Sequence, residues 1–151
     1  MYKDTVTLFN RKKGARGQGD TWYPSVLRNV NLLVDKAAVL SKYGADASDN
    51  AVLNVRYQIN GEKRMIGGKL WQPPKMWQQS DTPAASLTFT DGEAFDFFWF
   101  GEWTGGVISD ADYPEELSFY DYMNRTCDYV FAVTKVSGPF GAIPHFEIVG
   151  K

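Results

Sequence analysis

Leu53-Asn54-Val55-Arg56-Tyr57-Gln58-Ile59 is the stretch that decides the fold class. Leu53, Val55, Tyr57 and Ile59 point one way, and Asn54, Arg56 and Gln58 point the other. A period of two with one apolar face predicts a half-buried strand, most readily in an antiparallel sheet. Asn60-Gly61 follows at once and predicts a tight turn, so the chain doubles back as a hairpin does.

The same grammar recurs on both sides. Thr5-Val6-Thr7-Leu8-Phe9 is a short strand rich in β-formers, and Gly14, Gly17 and Gly19 then break the chain as a loop. Trp22 to Val34 reads as a second strand. Val26, Val30 and Leu33 allow helical spacing, but Pro24 and the β-branched content favour a strand carrying a bulge. Tyr43 to Asn50 is loop chemistry. Ser86-Leu87-Thr88-Phe89-Thr90 predicts a strand, Asp91-Gly92 a turn, and Phe95 to Phe100 an aromatic strand. Trp103 to Tyr113 is rich in Gly and Asp. Pro114-Glu115-Glu116 should open a short helix running to Arg125, because proline and acids suit a helix N-terminus. Leu117, Tyr120 and Phe119 would face inward. From Asp128 to Val136 apolar residues fall on both faces, which predicts a central strand. Gly138-Pro139 should turn the chain into a last strand, Pro144 to Val149.

These elements predict one mainly β domain over residues 1–151, a small antiparallel β-barrel or sandwich with one short helix. Its 151 residues are the length of a single domain. Residues 60–85 stand out as a long irregular arm holding Gly67-Gly68, Pro73-Pro74, Pro83, Trp71 and Trp77. Segments of this length without regular structure usually have a function. Pro73 and Pro74 stiffen the arm, and Trp71 and Trp77 would anchor it on a neighbouring subunit.

The chemistry-bearing residues are few. The one histidine, His145, begins the last strand, and no nucleophile motif flanks any serine. It is expected at a sheet edge or subunit contact. One histidine and the lone Cys127 make a zinc site improbable and an intrachain disulfide impossible. Asp110, Asp112, Glu115 and Glu116 could flank a glycosidase cleft, but acids before a helix are usually caps. Asp110-Ala111-Asp112 lacks a full calcium-loop pattern. Gly14, Gly17 and Gly19 precede no Lys-Ser/Thr pair, so no phosphate loop is predicted. The expectation is a protein without catalysis, cofactor or metal. The net charge of −2 argues against general nucleic-acid binding. Arg11, Lys12, Lys13 and Arg16 form the one basic run, a contact for DNA or for an acidic patch on a neighbour. Met1-Tyr2-Lys3-Asp4 lacks the apolar run of a signal peptide, and no stretch has the length for a membrane helix.

The order of motifs carries a resemblance. Asp4-Thr5-Val6-Thr7-Leu8-Phe9-Asn10, a glycine-rich gap, Thr21-Trp22-Tyr23, Val26-Leu27 and Val30 form the opening. Phe89-Thr90-Asp91-Gly92-Glu93, an aromatic strand and Gly101-Glu102 follow. Asp128-Tyr129-Val130-Phe131 then leads to the close, Pro144-His145-Phe146-Glu147-Ile148-Val149-Gly150-Lys151. Together they resemble minor structural proteins of tailed bacteriophages, the head-closure (stopper) and head–tail joining proteins. The resemblance implies a β-barrel subunit in a ring of about six or twelve copies. Such a ring sits in the neck of the virion, assembled in the bacterial cytoplasm. Its neighbours would be the portal or adaptor protein on one side and the tail terminator or tail tube protein on the other. Packaged double-stranded DNA would pass close by, and a mildly acidic lumen would not grip it. A carbohydrate- or host-surface-binding β-sandwich is the alternative, with Trp71, Trp77, Trp99 or Trp103 as stacking platforms.

Overall fold

The computed structural model describes residues 2–34 and 50–151. Its strands are β1 (Asp4–Lys12), β2 (Thr21–Val34), β3 (Ala51–Arg56), β4 (Gln58–Asn60), β5 (Lys63–Ile66), β6 (Lys69–Trp71), β7 (Ser86–Leu87), β8 (Phe97–Trp99), β9 (Ile108–Ser109), β10 (Val130–Phe140) and β11 (His145–Gly150). Two short α-helices, α1 (Pro74–Gln78) and α2 (Phe119–Thr126), lie among them. The loop expected from Tyr43 to Asn50 lies outside the described residues except for Asn50.

Six antiparallel strands close on themselves in the order β1-β8-β10-β11-β3-β2, with β2 returning to β1. The fold is therefore mainly β, and it is a barrel and not a sandwich. Closure removes most free strand edges. Inside lie Val6, Leu8, Leu27, Leu53, Phe98, Phe131, Phe146 and Ile148, all buried.

A second core sits outside the wall. Phe9, Trp22, Phe97 and Val130 point outward from their strands and are covered by Phe119 and Met123 of α2. The rings of Phe9 and Phe97 stack at 4.7 Å, and Phe119 meets Phe9 edge-on at 5.3 Å. This is why Val130 to Val133 are buried on both faces, as their sequence predicts for a central strand. Helix α2 begins later than Pro114. Ser118 caps it, accepting from Asp121 N at 3.2 Å and donating to the Asp121 carboxylate at 2.8 Å. A serine cap satisfies a backbone N–H of the first turn, which Pro114 has no side-chain acceptor to do. Leu117 precedes the helix and is 92% exposed, contrary to the inward orientation expected.

Three other segments differ from expectation. Residues 60–85 are not an irregular arm: β4, β5, β6 and β7 form a four-stranded sheet, with α1 in the connection between β6 and β7. The glycines make its turns possible. Gly67 and Gly68 take φ of 58° and 82° in the two-residue connection between β5 and β6, a geometry that suits glycine. Ile59 is 63% exposed because the chain leaves the barrel after Arg56 and joins this smaller sheet. Gly138-Pro139 lies within β10 at a register irregularity, and the chain turns later, between Phe140 and His145.

Candidate functional site

Each residue singled out by sequence has a definite place. Trp77 of α1 is fully buried, with its ring edge-on to Tyr23 at 5.9 Å and its Nε1 donating to the Pro83 carbonyl at 3.3 Å. No surface of it is left for a neighbour. Trp71 is half-buried against Phe146, 5.0 Å between rings. Pro73 is exposed and precedes α1, and Pro74 occupies its first turn. Trp71 and Trp77 thus seat the small sheet and α1 on the barrel, while Pro73 and Pro74 start α1.

The basic run divides. The Arg11 guanidinium is sandwiched between Trp22 and Phe95, 4.6 Å from each ring, and faces Asp20 at 3.8 Å. Lys12 Nζ donates to the carbonyls of Gln78 and Ser80 and lies 5.6 Å from the Trp77 ring. Both are part of the packing. Lys13 and Arg16 are exposed. Two members of the acidic cluster, Asp110 and Glu116, are likewise put to structural use, while Asp112 and Glu115 are exposed. Asp110 accepts from Trp22 Nε1 at 2.7 Å and Phe119 N at 2.8 Å, tying β2 to α2. Glu116 pairs with Arg125. Among the described residues no three His, Cys, Asp or Glu side chains converge as metal ligands. No described helix is long and apolar enough to cross a membrane.

The surface features that stand out are the two ends of the barrel. At one end, the turn after β10 presents Phe140, 40% exposed, and Ile143, 69% exposed. Tyr57 Oη donates to the Phe140 carbonyl at 2.6 Å, and Tyr57 N to Pro144 O at 3.3 Å, which fixes this tip. His145 stacks on Phe140 at 4.8 Å, and its Nδ1 lies 2.6 Å from the Ile143 carbonyl oxygen. At the other end, Leu33, Val34, Val52, Phe100, Tyr129 and Val149 line one apolar groove, with Leu33 56% and Phe100 44% exposed. Phe100 N donates to Tyr129 O at 3.0 Å. β10 spans 11 residues between these ends, about 35 Å at the usual strand rise.

Fold and surface define a small closed antiparallel β-barrel with a helix-covered outer core and an apolar patch at each end. The chain belongs to the family described as a family of unknown function (DUF6751), whose model matches residues 1–151. No curated protein and no solved structure matches it.

Proposed function

We propose that the protein is a structural joining subunit, part of the head–tail connector ring of a tailed bacteriophage, set between portal or adaptor and tail. The observation that carries this reading is the pair of apolar patches at opposite ends of β10, Phe140 with Ile143 and Phe100 with Tyr129. Apolar patches rimmed by polar residues mark protein contacts. A subunit with one patch at each end is shaped to be held between two partners stacked along the barrel. The closed wall keeps the subunit rigid and leaves few edges for unwanted pairing. His145 belongs to one of these patches.

The packing of the tryptophans weighs against the sugar-binding alternative. Trp77 is buried, and Trp103 is held edge-on to Phe9 and Phe119 at 5.6 and 5.5 Å. The test is deletion of the gene in a tailed phage that encodes it. The expected result is separate heads and tails that join when purified protein is added. Complete infectious virions without the protein, or its presence only at the distal tail tip, would overturn the reading.

A further inference from the structure

Leu117 is 92% exposed, more than any other large apolar side chain among the described residues. Its neighbours on both sides are fixed. Arg125 Nε donates to Glu116 Oε1 at 2.8 Å, and Ser118 caps α2. Glu116 N donates to Tyr113 O at 3.1 Å, and the Tyr113 ring rests on those of Phe119 and Tyr122 at 5.3 and 4.7 Å. Leu117 is therefore a knob on a held loop, and presenting it to a partner loses little further conformational entropy.

A single exposed leucine needs no partner on its own account. Its setting supplies the argument. From 110 to 121 the chain carries Asp110, Asp112, Glu115, Glu116 and Asp121 and no Lys or Arg. Asp110 and Glu116 are used inside the fold, but Asp112 and Glu115 are exposed, with no cation paired to them among the described residues. A leucine among unpaired acids fits an apolar hollow with a basic rim.

Such a hollow lies beside it. Between α1 and the chain at 90–94 is an open cavity of about 400 Å³, walled by Pro74, Gln78, Thr90 and Ala94, with Lys13 and Lys75 also lining it and no carboxylate. Gln78 Nε2 donates to Arg11 O at 2.5 Å and its Oε1 accepts from Lys13 N at 3.2 Å, which holds this wall to the end of β1. Lys75 is exposed and has no carboxylate paired to it among the described residues. Lys13 Nζ lies 3.6 Å from Asp20, and Asp20, Phe95 and Leu117 border one adjoining depression. Knob and hollow thus share one face of the molecule. Two parts of opposite charge, side by side on one face, complement that same face on a second copy after a half turn.

We propose that this face is a two-fold dimer interface, in which Leu117 of each copy enters the α1 hollow of the other and Glu115 meets Lys75. The interface uses neither end of the barrel and does not rest on the connector reading.

The test is sedimentation velocity of the full chain from micromolar to millimolar concentration. The mass should climb from that of one chain to that of two and no higher. Leu117→Ser keeps the charge and changes an exposed position. It should weaken association by about tenfold or more, with an unchanged unfolding midpoint in urea. Glu115→Lys and Lys75→Glu should each weaken association by about fivefold or more, since each sets like charges together at both contacts. Mixed in equal amounts, these two variants should associate again, because a mixed pair has opposite charges at both contacts. The proposal is overturned if the wild type keeps the mass of one chain at millimolar concentration, or assembles beyond two. It is also overturned if Leu117→Ser associates like the wild type, or if the mixture associates no better than either variant alone.

Discussion

Asn10 Nδ2 donates to Asp96 Oδ2 at 2.9 Å, and neither side chain reaches solvent. The same amide donates to Thr88 O at 2.7 Å, while Arg11 N and Thr90 N donate to the Asp96 carboxylate, each at 2.8 Å. This cluster fastens β1 to the chain entering β8. Burial pushes the Asp96 pKa up to about 7, although the bonds from Arg11, Asn10 and Thr90 pull it down.

The sign of the pH dependence follows. An unfolded aspartate loses its proton near 4, as about 3.9 is its ordinary value. The folded protein keeps the proton up to about 7. Stability from this group is therefore full below about pH 4 and falls as pH rises through 7, by at most on the order of 4 kcal/mol. Urea denaturation from pH 4 to 8 should show that fall. Asp96→Asn should flatten the Asp96-dependent slope. It should also lower stability at pH 4 by about 1–3 kcal/mol, since an amide cannot accept from every donor around it.

Trp77→Ala should destabilise the protein by about 3–5 kcal/mol, the usual cost of emptying a large buried aromatic site. The unfolding midpoint in urea measures it. A variant of wild-type stability would mean that Trp77 is not held as described, fully buried beside Tyr23.

Ile143→Asp should leave folding within about 0.5 kcal/mol of wild type, because the residue is 69% exposed. On the connector reading it should nonetheless reduce incorporation into particles, counted by quantitative mass spectrometry of purified virions. Normal incorporation would remove the tip of the β10–β11 hairpin from the interface.

The basic run separates into two kinds of residue. Arg11→Ala should cost about 1–2 kcal/mol, because the guanidinium is packed between Trp22 and Phe95. Lys13→Ala should change stability by less than about 0.5 kcal/mol. Thermal denaturation of the two variants side by side distinguishes them.

Strand identity was legible wherever the period of two met a single buried face, as in Leu53 to Tyr57. Burial of both faces of β10 was legible too, since Val130, Phe131, Ala132 and Val133 are all apolar. The small sheet over 58–87 was hidden because its strands are two to four residues long. So few residues show no alternation. Leu117 misled because a hydrophobic residue after Pro-Glu-Glu looks like the first inward position of a helix, while Ser118 caps one position later. The candidate site was barely visible. Phe100, Tyr129, Phe140 and Ile143 are scattered in sequence, and closure alone gathers them at the barrel ends.

β11 lies between β10 and β3, and β3 is made long before it. Until residues 145–150 have left the ribosome, the facing sides of β3 and β10 are bare seams with no strand between them. The barrel therefore cannot zip shut before β11 is made. Its closure is a late step joined across distant parts of the chain, which favours slow folding. Until then the partly made chain exposes strand edges that the finished barrel conceals, the kind of surface on which nascent chains aggregate.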